Sequence, residues 1–187
     1  MPIQKNAAAH LQISAAAQLK KSVAPQPVKP PALASGTVRP RKKLVHPTGG
    51  GIRNDSQGAG NWMAPRGTRK HRAVDFSASK GQDVLSPVDG KAFYFIGATT
   101  GYPIVDIIPS DASLGIDKIR MLYVDRPSGV KNLSRVQVKA GDVIGTASDL
   151  QSLKNFSTAL PYPKGVTPHI HIQIESNGAI VNPTPYF

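Results

Sequence analysis

Two distant segments of the chain carry side chains with the types and spacing of a metal site. His169 and His171 lie two residues apart in the stretch TPHIHIQIE. His71 lies four residues before Asp75 in the stretch RKHRAVDF. Three nitrogen or oxygen ligands with one position left for water form a catalytic Zn²⁺ site. We therefore expect His71, Asp75 and one of the two later histidines to hold one metal ion.

The strength of this prediction lies in the combination, because HxH and HxxxD are each common by chance. The chain has no cysteine, which excludes disulfides and thiolate metal sites. Histidine and carboxylate ligands favour zinc, although Fe²⁺, Co²⁺ and Mn²⁺ accept the same donors. The remaining histidines, His10 and His46, lie in the N-terminal quarter of the chain.

The HxH pair requires a strand that aims both imidazoles to the same side. Alternate residues of a strand share a face, so Ile170, Ile172 and Ile174 would form an apolar face. His169 and His171 would then lie together on the opposite face, about 7 Å apart along the strand.

The chain after residue 52 reads as all-β. Its β-branched and aromatic segments alternate with turn signals such as DG at 89–90, AGD at 140–142 and NG at 177–178. Short strands at this spacing favour a sandwich or a small barrel-like sheet. The predicted strand segments begin at residues 84–87 and continue with 91–99, 102–110, 118–125, 135–147 and 169–175.

Residues 1–47 differ in composition from the predicted β domain at 48–187. Residues 4–22 are rich in Ala, Leu, Gln and Lys and favour a short helix, and the following segment to Pro47 is a proline-rich linker. Residues 1–46 hold eight of the 23 Lys and Arg residues and no acid, so most of the net charge of +12 lies there.

A basic segment suits an anionic cell-wall polymer. Nothing like an RNA-binding signature accompanies it, so no nucleic-acid partner is expected. The sequence has no run of 18 apolar residues, so no transmembrane segment is predicted. No secretory signal peptide is recognised either.

Five segments in order resemble the lysostaphin/LytM-type zinc endopeptidases: HRAVDF, GQDVLSPVDGKA, VKAGDVIG, TPHIHIQIE and VNPTPYF. The resemblance covers roughly residues 52–187, and residues 52–76 are most similar to the branch that contains the leukocyte-derived chemotaxin and its bacterial relatives. It implies a two-layer antiparallel β fold of the duplicated hybrid motif type. It also implies zinc held by His71, Asp75 and His171, with His169 as a catalytic group.

One position departs from the family pattern. Active members carry a further histidine in a Tyr-x-His context, where this chain has MLYVDRP with Asp125. A carboxylate cannot donate a proton at neutral pH unless its pKa is strongly raised. Tyr123, Asp125 or His46 would have to replace that histidine, and we predict His169, Tyr123 and Asp125 as catalytic residues. The alternative is a catalytically impaired zinc-binding β domain that binds a cell-wall glycan or a protein partner.

These observations predict a monomeric zinc-dependent endopeptidase that hydrolyses peptide cross-links or stem peptides of bacterial peptidoglycan. We expect it to be made in the cytoplasm and to act in the periplasm or cell wall, as an antibacterial effector or a phage lysin. Residues 1–47 would dock to a secretion apparatus or a virion component, and an immunity protein is a further expected partner. Deleting residues 1–46 should abolish delivery and spare hydrolysis of purified wall; normal delivery of the shortened chain would contradict the hypothesis.

Overall fold

The computed structural model describes residues 42–187, in which the regular structure consists of short strands and three 3-10 helices. The helix predicted at 4–22 and most of the segment 1–47 lie outside the described residues. The 3-10 helices span Ala112–Leu114, Leu150–Ser152 and Thr184–Tyr186. In residues 42–187 no helix has the length and apolarity needed to cross a bilayer. The prediction of an all-β fold is confirmed.

Residues 42–187 form fourteen strands, most of them short. In chain order they are β1 (Asn54–Asp55), β2 (Gly58–Ala59), β3 (Pro65–Arg66), β4 (Arg69–Lys70), β5 (Val74–Ser77), β6 (Asp83–Leu85), β7 (Gly90–Ile96), β8 (Pro103–Pro109), β9 (Lys118–Leu122), β10 (Val124–Asp125), β11 (Arg135–Val138), β12 (Val143–Ala147), β13 (His169–Ser176) and β14 (Ala179–Val181).

The largest sheet has seven antiparallel strands, and β13 lies next to the strands at one edge. Its strand order is β11-β7-β8-β9-β13-β14, and β5 also pairs with β13. One edge of β13 carries β9, while β5 and β14 share its other edge. Two hairpins, β1-β2 and β3-β4, form small separate sheets before β5.

A second sheet, β10-β12-β6, forms the other layer. Val84 of β6 and Ile144 of β12 belong to the same buried cluster as Ile170 and Ile174 of β13, so the core lies between the two sheets. The hydroxyl of Tyr94 on β7 donates to the carbonyl of Ile144 at 3.0 Å and ties the layers together. Burying an isoleucine side chain contributes about 1.5–3 kcal/mol, so this core supplies much of the stability of the fold.

Strand β13 has the predicted alternation. Ile170, Ile172 and Ile174 are 0% exposed and face the core, while His169 and His171 lie on the opposite face. The antiparallel register with β5 sets His171 directly opposite Asp75. Two residues that are 96 positions apart in sequence thus become a cross-strand pair, and neighbouring strand pairs of this kind place side chains within about 5 Å.

The segment predicted as one strand at 118–125 is broken at Tyr123. Tyr123 has φ of 69°, in the left-handed region, and the chain leaves β9 there and enters β10 in the other sheet. The face alternation that would have placed Tyr123 and Asp125 side by side therefore ends. The segment predicted at 135–147 is likewise divided into β11 and β12 of different sheets, around a turn with Gly141 at φ 88°.

The described chain joins the β domain a few residues before the predicted boundary at residue 48. Leu44 is buried and its backbone N–H donates to the carbonyl of Tyr186 at 2.9 Å. Val45 N–H donates to the carbonyl of Pro87, and Leu85 N–H donates to that of Pro47. These bonds attach residues 44–47 to the C-terminus and to the region of β6.

Candidate functional site

The side chains of His71, Asp75 and His171 converge near one edge of the seven-stranded sheet. Asp75 Oδ1 lies 3.1 Å from His71 Nε2 and 2.9 Å from His171 Nδ1, and the two imidazole nitrogens are 3.2 Å apart. The three atoms lie within 4.8 Å of one another. Two nitrogen donors and one carboxylate oxygen pointing at a common point match the ligand set of a catalytic zinc site.

Hydrogen bonding prepares the imidazole of His71 to act as a ligand. Its Nδ1 lies 3.1 Å from the carbonyl oxygen of Asn61. A carbonyl only accepts, so Nδ1 donates to it, and Nε2 is the ring nitrogen that faces Asp75 and His171. Metal-binding histidines commonly donate their other ring nitrogen to a backbone carbonyl in this way.

His169 is held in the same tautomer, beside the cluster. Its Nδ1 donates to the carbonyl of Thr167 at 2.7 Å, and its Nε2 lies 3.8 Å from Asp75 Oδ1. The side chain is only 3% exposed, and this burial lowers the pKa of His169 to about 4. At neutral pH the imidazole is therefore uncharged, with a free Nε2 lone pair that can accept a proton.

Asp75 divides its two oxygens between two sets of partners. Burial disfavours its charge, yet the adjacent imidazoles of His171 and His71 hold the pKa of Asp75 well below its usual range. Its Oδ2 pairs with Arg53 Nη2 at 3.2 Å and Arg66 Nη2 at 3.4 Å. The side chains of Arg53 and Asp75 are only 4% and 3% exposed. The arginines thus compensate the buried charge and leave Oδ1 to the histidines.

The backbone beside Asp75 approaches too closely for any residue but glycine at position 60. A Cβ on Gly60 would lie 2.6 Å from the Asp75 Cβ and 3.2 Å from the Arg53 Cβ. The backbone of Gly60 also donates to the carbonyl of Arg53 and accepts from the N–H of Asp75. This close packing fixes the segment that carries Arg53 against β5.

Asp55 connects the arginine of this cluster to the start of β13. Its Oδ1 pairs with Arg53 Nη1 at 2.7 Å, and its Oδ2 accepts the backbone N–H of Thr167 at 2.7 Å. Despite the opposing effect of burial, hydrogen bonds from Arg53, Thr167 and Gln57 lower the pKa of Asp55 to about 2. A continuous polar chain thus joins Asp75 to the residue whose carbonyl orients His169.

Three tyrosines form an aromatic wall next to His169. The ring of Tyr123 lies edge-on to that of His169 at 5.2 Å between centroids, and edge-on to Tyr162 at 5.5 Å. Tyr102 packs against both of the other tyrosines. The hydroxyls of Tyr123 and Tyr162 are 3.2 Å apart and share a hydrogen bond. Burial raises the pKa of Tyr162 to about 12 and that of Tyr123 well above its usual value, so both phenols stay protonated at neutral pH.

Asp125 and His46 lie away from this wall. Asp125 is exposed, accepts from the Ser148 hydroxyl at 2.9 Å, and lines a separate hollow with Arg126 and Pro127. The break in the strand at Tyr123 explains why Asp125 does not follow it into the site. The ring of His46 packs at a tilt against that of Phe76, with 4.2 Å between centroids. Of the residues considered as substitutes for the missing histidine, the structure brings only Tyr123 next to His169.

These residues line an open cleft of about 810 Å³ that is strongly cationic. Six Arg or Lys side chains face it against one carboxylate, Asp75. Asp residues neutralise half of them: Arg53 and Arg66 pair with Asp75, and Arg120 pairs with Asp106. The exposed Arg69, Lys70 and Arg72, which we call the cationic rim, have no ion-pair partner among residues 42–187.

Sequence reasoning missed Arg53, Asp55 as a partner of Arg53, and Tyr162. Arg53 stands in the polar stretch IRNDSQGAG, which reads as an exposed loop, and its burial arises from contacts in the folded domain that include Asp75 of β5. Gly58 and Gly60 nearby were a weak signal of close backbone approach. Tyr162 lies in the connection between β12 and β13, where no periodic pattern predicts its direction.

The comparisons with known proteins agree with this geometry. The sequence model of peptidase family M23 matches residues 69–183. Leukocyte cell-derived chemotaxin-2 of Bos taurus is 30% identical over 134 residues, which are 71% of this chain and 76% of that protein.

Several solved structures share the fold. Helicobacter pylori Csd3 has a TM-score of 0.51 at 24% identity, over 78% of this chain and 33% of its own. A zinc-containing peptidase from Vibrio cholerae has a TM-score of 0.51 at 19% identity, over 78% of this chain and 40% of its own. The antimicrobial peptidase lysostaphin from Staphylococcus simulans has a TM-score of 0.51 at 22% identity, over 77% of this chain and 54% of its own. The chain thus spans between a third and about half of these structures.

Proposed function

Because this chain belongs to peptidase family M23, we propose that it is a zinc-dependent endopeptidase acting on the peptides of bacterial peptidoglycan. The observation that carries the proposal is the convergence of His71, Asp75 and His171 beside the neutral imidazole of His169 in an open cleft. Metal-assisted hydrolysis of an amide bond requires at least a set of metal ligands and an adjacent base.

The residues fit the zinc ion that the family implies. His71 presents Nε2 to the site, Asp75 is ionised, and His171 completes a three-ligand set whose atoms lie within 4.8 Å of one another. When bound, zinc would polarise the scissile carbonyl and make water acidic enough to attack near neutral pH. Arg53 and Arg66 would keep the Asp75 carboxylate charged and oriented.

His169 supplies the proton acceptor in this proposal. With Nδ1 donating to Thr167, its Nε2 takes a proton from the attacking water. The same atom returns the proton to the departing amine, so the imidazole ends the reaction as it began. Tyr123 is the second protein group that faces the reacting centre.

The cationic rim favours substrates that carry carboxylates. Stem peptides of peptidoglycan contain free carboxylates, whereas an all-glycine bridge has none along its length. Exposed cations beside a cleft attract such groups through interactions of about 0.5 kcal/mol each. We therefore infer that carboxylate-bearing stem peptides are better substrates than glycine bridges.

Replacing both Arg69 and Lys70 with glutamine is expected to raise KM for stem peptides about fivefold, with kcat within about twofold, since two rim charges contribute about 1 kcal/mol. Raising salt from about 50 to about 500 mM should raise the KM of the wild type more than that of the variant, because exposed charges are screened. Lys131→Gln removes an exposed cation that does not line the cleft and serves as the control. Equal KM values at low salt would contradict the assignment.

Digestion of purified sacculi by the full chain tests the proposed function. With zinc present, mass spectrometry should find released fragments with new amino termini, and a chelator should stop their release. Elemental analysis should find about one zinc per chain. Intact sacculi under zinc-replete conditions would refute the enzymatic proposal.

The second candidate is a zinc-stabilised domain that binds a wall glycan or a protein without cutting it. It is favoured by the position of Asp125, which stands where active relatives are expected to have histidine and which lies outside the cleft. Co-sedimentation with sacculi without any fragment release would support this alternative.

A further inference from the structure

Tyr123 has a strained backbone that its surroundings hold in place. Its φ of 69° costs a non-glycine residue roughly 1–2 kcal/mol. Its N–H donates to the carbonyl of Pro103 at 2.8 Å, and its carbonyl accepts from the N–H of Ser148 at 2.9 Å. Backbone strain that neighbouring residues hold in place occurs most often at functional sites. Here it directs the phenol of Tyr123 into the cleft rather than along β9.

The hydroxyl pair of Tyr123 and Tyr162 has one proton to spare. Two O–H groups 3.2 Å apart use one proton for the bond between them. Among residues 42–187 neither hydroxyl has another hydrogen-bond partner, and both residues line the cleft with His169 and His171. One phenolic proton is therefore available to an acceptor that enters the cleft.

The relative positions of the two rings indicate which phenol meets the substrate. The ring of Tyr123 is 5.2 Å from that of His169 and 6.4 Å from that of His171, whereas Tyr162 lies 6.4 Å from His169. Tyr123 is thus the inner member of the pair. A hydrogen bond donated by Tyr162 to the Tyr123 oxygen would polarise the Tyr123 O–H and make it a stronger donor.

We propose that Tyr123 is the oxyanion donor of this site and that Tyr162 is a positioning residue that acts through it. The inference rests on the proposed peptidase function. It assigns to a tyrosine pair the role that the expected histidine would have, and it explains how turnover can survive with Asp125 outside the cleft.

Neither tyrosine changes its charge during attack of water on the scissile carbonyl or departure of the amine. Water gives a proton to His169 Nε2 and bonds to the carbonyl carbon, whose π electrons move onto the oxygen. Tyr123 O–H donates a hydrogen bond to that oxygen and keeps its proton. When the electrons return and the C–N bond breaks, the amine takes the proton from His169.

Tyr123→Phe is expected to lower kcat on stem peptides about 100-fold, the effect of losing one oxyanion donor, with KM within about twofold. Tyr162→Phe should lower kcat about tenfold. The double variant should match Tyr123→Phe, because residues that act as a unit are not additive. A peptide with a phosphinate at the scissile position should bind Tyr123→Phe about 100-fold more weakly, while a non-cleavable peptide binds unchanged.

Tyr94→Phe is the matched control. It removes a buried hydroxyl that bonds to Ile144 and does not line the cleft, so stability should fall while kcat is kept. Zinc content and melting temperature show whether the other variants are folded. A Tyr123→Phe enzyme with wild-type kcat, or additive losses in the double variant, would overturn this inference alone. A wild-type chain that releases no fragments would overturn the proposed function and this inference with it.

Discussion

Replacing Asp75 with alanine should abolish zinc binding and lower peptidase activity by at least about 1000-fold. The variant removes the oxygen that faces both His71 and His171, and a bound metal contributes several kcal/mol to transition-state stabilisation. It also leaves Arg53 and Arg66 without their shared carboxylate. Zinc per chain, measured by elemental analysis after gel filtration, should fall below about one tenth of the wild-type value, because two histidines alone make a weak site.

The same variant should lose stability even without metal. Removing one partner of a buried ion pair costs about 3–5 kcal/mol, and here the loss is closer to about 2–3 because Arg53 retains Asp55. Denaturant titration of the metal-free chain gives this difference directly. Asp83→Ala is the control, since that exposed carboxylate has no hydrogen bond or ion pair in residues 42–187. Full zinc content in Asp75→Ala would overturn the assignment of the metal ligands.

Replacing Arg53 with methionine should have the second-largest effect. Methionine keeps the unbranched apolar stem but removes the guanidinium that joins Asp55 to Asp75. Two buried carboxylates would then lack their main counter-charge, and the free energy of unfolding should fall by about 3 kcal/mol. For a domain of this size that corresponds to a drop of roughly 10 °C in melting temperature.

Zinc affinity should fall in the same variant although no ligand is changed. Partners of metal ligands typically contribute 10- to 100-fold in affinity, so we expect a loss of about this size in competition with a chromogenic chelator. Arg53→Lys should recover part of the stability but less of the affinity, because an ammonium cannot span both carboxylates as the guanidinium does. Arg126→Met removes an exposed arginine without an ion pair in the described chain and should change neither quantity. Unchanged zinc affinity in Arg53→Met would show that the arginine is only structural.

The hydrophobic pattern of the sequence was sufficient to predict the strand that carries the site. Alternation of isoleucine with polar residues in HIHIQIE identifies both the strand and the face that bears His169 and His171, since side chains of a strand alternate regardless of what packs against it. The absence of cysteine likewise excludes a thiolate metal site, and the HxxxD spacing identifies one nitrogen and one oxygen ligand within one short segment. These are properties of short segments, and short segments can be read from the sequence.

Tertiary structure alone decided what surrounds those residues. The burial of Arg53, the link from Asp55 to Thr167 across 112 positions, and the contact of Tyr162 with Tyr123 depend on chain segments that meet only in the folded domain. The left-handed backbone at Tyr123 separates it from Asp125, which a regular strand would have kept on the same face. Local periodicity specifies the direction of a side chain only while the strand is regular. The partner of a side chain is specified by packing between distant segments, and no local pattern carries that information.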